Sequence, residues 1–456
     1  MTTQLLRPAA ETSEHEERGK VLRGEVPRES HAEWKPSPSR ENPLDILQKA
    51  DDARVPELVP IRYGRMLPSP FTFFRGAAAI MAADLARTPS IGVRVQACGD
   101  CHLKNFGGFA TPERNIVFDI NDFDETLPAP WEWDVKRLAT SFVLAARSNG
   151  LPKSVSRQLA ITCAEYYRKS IRAFAKFTPL DLWYSRTTAD DFINDIPDPR
   201  MRHAVAGRVQ KAASRRGSDI DYPKLAEVVN GESRIRDTPP LIFHPEQTRE
   251  AGWRADVDDI LRRYRESLPH ERRELIDRYH FVDAALKVVG VGSVGTRCWI
   301  ALMVSATNEP LFLQFKQASN SVFEPYAGKS DYENSGQRVV VGQRIMQSAS
   351  DIFLGWTQAN GRDFYVRQLR DAKISPLVEQ FDEAMMLAFA QACAKTLARA
   401  HAKSGNAWTI RGYLGKNDAF DDAIGTFAER YADQTEVDHG LLKAAVRSGK
   451  IDAYVE

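Results

Sequence analysis

The sequence predicts an α+β fold in which a small antiparallel β-rich segment lies between two helical segments. Helical periodicity dominates residues 57–280, strands separated by glycine and polar turns fill residues 281–372, and helical periodicity returns over residues 373–456. A chain of 456 residues is long enough for two or three domains around a sizeable core. We therefore expect a β-rich segment with helical segments on either side of it in the chain.

Residues 1–56 differ from the rest, because they are rich in charged residues and proline and contain one aromatic residue, Trp34. Such a segment buries little apolar surface, and we expect a poorly ordered N-terminal arm. Helical patterning follows it, and Ser69 with Pro70 gives the start signal of an apolar-striped helix.

The composition argues against several classes of partner. The 62 basic and 61 acidic residues give a formal net charge of +1, so we expect no general attraction to nucleic acid or anionic membranes. No apolar run approaches the roughly 20 residues that span a bilayer, and the N-terminal residues lack the apolar stretch of a secretory signal. Five scattered cysteines do not indicate a disulfide framework. We expect a soluble, cytoplasmic protein.

The stretch CGDCHLKNFGGF, residues 98–109, admits two interpretations. Its first five residues fit the Cys-x-x-Cys-His pattern that attaches c-type haem, but without the cysteines it contains Gly-Asp-x-His-x-x-Asn. Haem attachment requires an export route that the sequence does not show, and a redox-active cysteine pair usually opens a helix rather than a glycine-rich turn. We expect Cys98 and Cys101 to be small, partly buried residues.

Candidate metal ligands and a candidate base flank the strand predicted over residues 115–122. Asp100 and Asn105 lie in the loop before it, and Asp122 and Asp124 follow at its end. Phosphoryl transfer requires a carboxylate beside the attacking hydroxyl and oxygen ligands for Mg²⁺, which these side chains can supply. The same residues also fit turn positions or a calcium-like loop, so the pattern alone leaves a structural role and a metal-hydrolase site open.

The pattern Gly-Asp-x-His-x-x-Asn followed by Asp-Phe-Asp resembles the catalytic and metal-binding segments of kinase-like phosphotransferases, which include aminoglycoside phosphotransferases and choline kinases. The resemblance implies that Asp100 is the catalytic aspartate and that Asn105 and Asp122 bind Mg²⁺. It also implies that His102 is the loop histidine and that Asp134, on the next predicted helix, supports the catalytic loop. ATP and Mg²⁺ are the implied cofactors.

The resemblance to a second group of proteins extends over almost the whole chain. Six segments between residues 55 and 456 carry it: RYGRM, SPFTFFRGAA, GDCHLKNFGGF, FDINDFDET, GQRVVVGQRIMQ and YADQTEVDH. On these segments the protein is identified as a member of a bacterial family, domain of unknown function 2252.

A second set of candidate binding residues lies in the β-rich segment. The pattern Gly-x-Gly-x-x-Gly stands between two predicted strands, and a dinucleotide site would require a helix after it. Strand–glycine–strand instead resembles the glycine-rich loop of kinases, whose amides and lysine hold the nucleotide phosphates. The candidate nucleotide-binding residues are Gly290, Gly292, Ser293, Gly295 and Lys316.

Lys316 lies in an apolar predicted strand, which is unusual for a solvated lysine. By the same resemblance it is a catalytic residue together with Asp100 and His102. An edge-strand lysine that blocks aggregation is the alternative. Kinases supply an acidic partner for this lysine from the next helix, and Glu324 and Glu333 are the candidates here.

The order of these motifs differs from that in ordinary kinases, whose glycine loop and lysine precede the catalytic aspartate. The resemblance therefore implies a kinase-like two-lobe architecture in circularly permuted order, with residues 281–372 as the nucleotide-binding lobe. Residues 57–280 would carry the catalytic and metal-binding loops, and residues 373–456 would complete the helical lobe. The segment LARAHAKSG, residues 397–405, resembles the helix that leads into the catalytic loop.

These resemblances imply an ATP- and Mg²⁺-dependent phosphotransferase that acts on a hydroxyl group of a small-molecule acceptor. Nucleotidyl transfer, nucleotide binding without catalysis and metal-dependent hydrolysis are the alternatives. If one nucleotide spans both lobes, the Lys316 nitrogen and an Asp122 oxygen must lie within about 10 Å of each other. We further expect Asn105 on the side of Asp122 and the glycine turn above the gap.

Overall fold

The computed structural model describes residues 10–196, 198–213, 222, 224–229, 232–249, 253–288, 290, 294–369 and 372–454. Helices and antiparallel sheets both occur in these residues, which confirms the predicted α+β class. None of the described helices is both long and apolar enough to cross a bilayer. In chain order the helices are α1 (Ala10–Glu25), α2 (Pro43–Asp51), α3 (Val59–Met66), α4 (Pro70–Arg75), α5 (Ala78–Leu85), α6 (Trp131–Ser148), α7 (Lys153–Phe174), α8 (Pro179–Tyr184), α9 (Ala189–Asn194), α10 (Pro199–Ala213), α11 (Trp253–Ser267), α12 (His270–Ile276), α13 (Glu324–Ala327), α14 (Ser335–Met346), α15 (Glu383–Ser404), α16 (Ala407–Leu414) and α17 (Ala419–Arg447).

The largest sheet is antiparallel, with the strand order β12-β13-β11-β10-β9-β8. Smaller sheets pair β1 with β4, β6 with β7, and β2 with β3 and β5. The strands are β1 (Arg94–Ala97), β2 (Phe106–Ala110), β3 (Ile116–Ile120), β4 (Leu127–Pro130), β5 (Thr187–Thr188), β6 (Ala226–Val229), β7 (Glu232–Ile235), β8 (Ile242–Phe243), β9 (Tyr279–Lys287), β10 (Cys298–Ser305), β11 (Pro310–Ala318), β12 (Gly355–Ala359) and β13 (Arg362–Gln368).

The helical body has its main core around α6. The side chains of this helix are buried from Trp131 to Ala146, because α7 and α17 cover its length and β1 and α4 contact it as well. The core therefore joins the first half of the chain to its last hundred residues, and the helices of both segments form one body.

The large sheet has a core of its own on the face opposite to Lys316. Leu313, Phe315 and Val366 pack there against Tyr264 of α11, whose hydroxyl donates to the backbone oxygen of Phe353 at 2.6 Å. Helix α11 lies before residue 281, where the sequence pattern predicted the start of the β-rich lobe. The apolar face of α11 covers the sheet, so the sheet unit begins before the strands that the sequence pattern indicated.

The described residues of the N-terminal segment, for which we expected a poorly ordered arm, include the helices α1 and α2. Helix α1 packs on α16, with Gly19 and Gly412 so close to the opposite backbone that a Cβ at either position would lie 2.1 Å from a carbonyl oxygen. Arg23 Nε donates to the backbone oxygen of Tyr413 at 2.8 Å, and Arg28 Nη1 to that of Leu414 at 2.8 Å. Glycine contacts and arginine–carbonyl hydrogen bonds hold this segment, so its low apolar content was misleading.

Candidate active site

Two loops of the helical body form the candidate site, and we call them loop A (residues 98–105) and loop B (residues 121–126). Loop A follows β1, and loop B follows β3. The loops touch at Gly99, which has φ +86°, and a Cβ there would lie 2.2 Å from the backbone oxygen of Glu125. Glycine is required at this position for both reasons.

Asp134 of α6 holds the beginning of loop A. Its carboxylate accepts from the backbone N–H groups of Cys98, at 2.6 Å, and Gly99, at 3.1 Å. His401 Nε2 of α15 lies 3.2 Å from the same carboxylate, and Tyr167 contacts the other ring nitrogen of His401 at 2.8 Å. Asp134 thus makes the backbone contacts expected of a loop-supporting aspartate, and the segment 397–405 supplies its histidine partner.

Asp100 is the candidate base of loop A. Its side chain is 20% exposed and accepts from Arg137 Nε at 2.7 Å. Burial raises the pKa of the Asp100 carboxyl, and the Arg137 and Arg75 guanidinium groups oppose this shift. His102 Nε2 lies 3.7 Å from Asp100 Oδ2, which is beyond hydrogen-bond distance. Burial and the nearby Arg75 and Arg137 lower the pKa of His102 well below its usual value, so this imidazole is neutral.

Asn105 connects loop A with loop B, as expected of a residue on the side of Asp122. Its side-chain Nδ2 donates to the backbone oxygen of Asp100 at 2.7 Å. Its backbone oxygen accepts from Asn121 N at 2.7 Å. Asn105 is therefore hydrogen-bonded both to Asp100 and to Asn121, the residue before Asp122.

Lys316 reaches loop B from the large sheet. Its Nζ lies 3.9 Å from Asp122 Oδ1 and donates to Asp124 Oδ2 at 2.7 Å. The predicted proximity of Lys316 and Asp122 is confirmed as geometry. The edge-strand alternative was wrong, because β11 lies between β10 and β13 and Lys316 pairs with Cys298 and Tyr365.

The charges around Lys316 stabilise it in its ionised form. Its side chain is 4% exposed, and although burial alone would lower the pKa, Asp122 and Asp124 raise it well above the usual value. Burial alone would raise the pKa of Asp124, but Lys316 and the Tyr365 hydroxyl, which donates to Asp124 Oδ1 at 2.6 Å, lower it below the usual range. Both carboxylate oxygens of Asp124 are thus engaged, which does not favour the predicted metal role of Asp124. Asp122 is 34% exposed and is the better placed of the two for a cation.

Arg338 and Glu125 also fix loop B, and sequence reasoning missed both residues. Arg338 of α14 donates to the backbone oxygens of Thr126, at 2.6 Å, and Asp124, at 2.8 Å. The Glu125 carboxylate accepts from Val322 N at 2.8 Å, and burial raises the pKa of Glu125 to about 7. The one signal for Arg338 was a charged residue within the apolar helical run of GQRVVVGQRIMQ.

The expected glutamate partner of Lys316 was wrong in identity. Among the described residues, the carboxylates within salt-bridge distance of Lys316 belong to Asp122 and Asp124. Glu324 instead accepts from Ser321 N at 3.4 Å, and Glu333 is an exposed residue before α14. The acidic partner comes from loop B rather than from the helix after the lysine.

A cleft of about 870 Å³ lies between the large sheet and the β2–β3 hairpin. Gly290, Gln314 and Arg367 line it on the sheet side, and Asn121 of loop B lines it on the other side. Gly295 does not overhang this cleft: it packs on Arg54, and its oxygen accepts from Val55 N at 2.7 Å. Gly292 and Ser293 lie outside the described residues.

Two other interpretations of this region are a metal-hydrolase site at the aspartates near Asp119 and a haem or redox site at Cys98 and Cys101. No group of three or more His, Cys, Asp or Glu side chains in the described part of the chain is arranged to hold a metal. Asp119 is fully buried, and Arg399 Nη2 donates to both of its oxygens, at 2.6 and 2.7 Å. Cys98 and Cys101 are buried free cysteines, and burial raises the pKa of Cys101 well above its usual value.

A sequence model of uncharacterized proteins conserved in bacteria, domain of unknown function 2252, matches residues 54–445. The chain belongs to this family. No curated protein and no solved structure matches the chain. The DUF2252 match begins just before α3 and ends within α17, so it includes both loops, the large sheet and α15 but leaves out α1 and α2. The candidate site thus lies entirely within the DUF2252 region.

Proposed function

We propose that the protein is an ATP- and Mg²⁺-dependent phosphotransferase of permuted kinase-like architecture that acts on a hydroxyl group of a small acceptor. One observation carries the proposal: Lys316, 192 residues from Asp124 in the chain, lies with its nitrogen 2.7 Å from Asp124 and 3.9 Å from Asp122. A lysine from a glycine-turn sheet, beside an aspartate at the end of a strand in the helical body, is the arrangement that phosphoryl transfer uses.

The residues at the junction suit distinct roles in this reaction. Asp122 and Asn105 would hold Mg²⁺, with phosphate and water oxygens completing its shell, because Mg²⁺ usually takes few protein ligands. Bound ATP·Mg²⁺ would supply the phosphoryl group and neutralise its charge. Lys316 would contact the nucleotide phosphates while Asp124 keeps its ammonium group in place. Asp100 would orient the acceptor hydroxyl and take its proton.

The contact between α15 and loop A supports the permuted order. His401 near the end of α15 lies 3.2 Å from Asp134, which in turn holds Cys98 and Gly99. The helix that follows the large sheet in the chain therefore supports the loop that carries Asp100 through Asp134, and Ser404 Oγ of this helix accepts from Gln96 N, 308 residues earlier in the chain. Such an arrangement is expected when the segment order changes but the packing does not.

The proposal is tested by two isosteric substitutions with different expected results. Asp100→Asn should lower the rate of ADP formation by about 10²- to 10⁴-fold and leave nucleotide affinity nearly unchanged, because this carboxylate acts on the acceptor. Asp122→Asn should weaken Mg²⁺-dependent binding of a non-hydrolysable ATP analogue, measured by calorimetry.

A turnover rate of Asp100→Asn equal to that of the unmodified protein would exclude Asp100 as the base. Mass spectrometry of the product distinguishes a phosphorylated acceptor from a nucleotidylated one. Nucleotide binding without any turnover across an acceptor panel would identify a binding regulator instead.

A further inference from the structure

The segment SPFTFFRGAA, residues 69–78, places an arginine beside the candidate base. Ser69 caps α4, its hydroxyl accepts from Thr72 N at 3.1 Å, and Pro70 occupies the first turn. The phenylalanines of this helix are buried in the body, and Arg75 is its last residue. A capped and buried helix therefore determines where the Arg75 side chain begins.

Arg137 joins the end of α4 to Asp100. Its Nη2 donates to the backbone oxygen of Phe74 at 2.9 Å, and its Nε donates to Asp100 Oδ1 at 2.7 Å. Its guanidinium carbon also lies 4.2 Å from the centre of the Phe74 ring. Because Phe74 precedes Arg75 directly, this bridge brings Arg75 next to loop A.

The cationic side chains at this end of loop A differ in whether they make a direct ion pair among the described residues. Arg137 pairs with Asp100, and Lys104 pairs with Glu379 at 2.8 Å. Arg75 remains: its Nε is buried and has no hydrogen-bond partner among the described residues, and the described carboxylates within reach already have cationic partners. Burial lowers the pKa of Arg75 although the charges of Asp100 and Glu379 oppose this shift, so an anion bound directly to this half-buried guanidinium would stabilise its charge.

We propose that Arg75 binds an anionic group of the acceptor, a carboxylate or a phosphate, and so directs the acceptor hydroxyl towards Asp100. That the anion belongs to the phosphoryl acceptor rests on the proposed function. The anion site itself depends only on Arg75 and its surroundings. A guanidinium group suits either anion, because its planar N–H fork matches two oxygens at once. Arg75, Arg137 and Lys104 together disfavour a polycationic acceptor such as an aminoglycoside.

The first test measures binding, with the nucleotide site filled by β,γ-imido-ATP and Mg²⁺ so that anions do not bind there. The probes are glycerol 3-phosphate, D-glycerate, glycerol and ethanolamine, titrated by calorimetry. We expect glycerol 3-phosphate and D-glycerate to bind, and glycerol and ethanolamine to bind at least tenfold more weakly. The anion that binds more tightly shows whether the site prefers a phosphate or a carboxylate. Equal binding of glycerol, or no binding of either anion, would overturn the proposal.

The second test uses matched variants. Arg75→Gln should weaken binding of the anionic probe by about 10- to 100-fold, the effect of losing a charge-assisted hydrogen-bonded pair. Arg75→Lys should retain part of the affinity because it keeps the charge. Arg87→Gln removes an exposed arginine elsewhere in the N-terminal half and should have no effect. An anion affinity that Arg75→Gln leaves unchanged would refute the site.

A third measurement keeps the inference testable if Arg75→Gln does not fold. Asp100→Asn removes the negative charge nearest to the site, so it should bind the anionic probe several-fold more tightly while losing turnover. Tighter binding without any phosphoryl transfer in the unmodified protein would support the anion site and contradict the proposed function. Transfer to neutral or cationic acceptors, at rates that Arg75→Lys does not alter, would support the function and contradict the site.

Discussion

Loop A and loop B meet at one junction, but different parts of the molecule hold them. Loop A is fixed within the helical body, because the Asp134 carboxylate accepts from two of its backbone N–H groups and contacts His401. Loop B is fixed largely from the sheet side, by Lys316 and Tyr365 on the Asp124 carboxylate and by Arg338 on its backbone. The proposed base, Asp100, thus lies in the loop that the helical body holds, while Asp124, next to the proposed metal ligand Asp122, is bonded to the large sheet.

The different attachments of loop A and loop B indicate how the candidate site would respond to a bound nucleotide. A movement of the large sheet would pull on loop B through charged and hydroxyl contacts, whereas loop A would keep its place on α6. Closure around a ligand would therefore move Lys316 and Asp122 relative to Asp100, the proposed base. Three predictions test this comparison.

The largest effect is expected from Asp134→Ala, which removes the support of loop A. The two backbone N–H groups and His401 would lose their buried acceptor, and we expect a loss of about 3–5 kcal/mol in the free energy of unfolding. Urea-induced unfolding followed by tryptophan fluorescence measures this loss.

The control for Asp134→Ala is Asp433→Ala, which removes an exposed aspartate of α17 that contacts Arg147. It should change the free energy of unfolding by no more than about 0.5 kcal/mol. A loss of less than about 1 kcal/mol in Asp134→Ala would show that loop A is not held in the way described.

Glu125→Gln sharpens the comparison, because loop B contains a buried carboxyl group that titrates near neutrality. Burial raises the pKa of Glu125 from 4.5 to about 7, so the folded state holds this proton more tightly than the unfolded state. The stability contributed by the protonated form is complete below pH 4.5 and declines as the pH rises to about 7, by about 3 kcal/mol at 1.36 kcal/mol per pKa unit.

Glu125→Gln should lack this decline, since the amide oxygen can still accept from Val322 N but does not ionise. The stability difference between the two proteins, from urea unfolding at several pH values between 4.5 and 8, should therefore shift in favour of the variant as the pH rises. Other groups that titrate in this range, such as Glu132, are common to both proteins and cancel in the difference. Parallel stability curves would contradict the pKa assignment.

The smallest effect is expected from the double variant Cys98→Ala, Cys101→Ala in loop A. Both thiols are buried and free, so the variant should fold, lose about 1 kcal/mol of stability and keep its nucleotide affinity. Cys393→Ala in α15 is the matched control for removal of a buried thiol. Haem absorbance in the purified protein, or rapid thiol labelling without denaturant, would contradict this interpretation.

The sequence was sufficient for features that depend on short segments. Asp100, Asn105 and Asp122 could be proposed as site residues because residue type and spacing within one loop–strand–loop unit carry the signal. Lys316 could be found because a lysine in an apolar strand is unusual. The pairing of these residues across the molecule was deduced from the resemblance rather than from any local pattern.

The features that the sequence did not show depend on contacts between distant segments. The acidic partner of Lys316 was sought on the following helix but is Asp124 of loop B, since side-chain pairing between distant segments leaves no trace in local periodicity. Arg75 and Arg338 looked like ordinary helical arginines until packing placed them at loop A and loop B. The packing of α1 could not be read from its composition, because close backbone contacts at Gly19 and Gly412 and arginine hydrogen bonds attach it alongside the few apolar side chains such as Leu22.

The bond between His401 and Asp134 has a consequence for synthesis on the ribosome. The two residues are 267 positions apart, so loop A emerges long before the helix that completes its support. At typical elongation rates of about 5–20 residues per second, the first half of the chain would wait more than ten seconds with buried polar groups unpartnered. Nascent chains that end before α15 should therefore be sensitive to proteases at loop A, and release of the C-terminal helices should make the loop resistant.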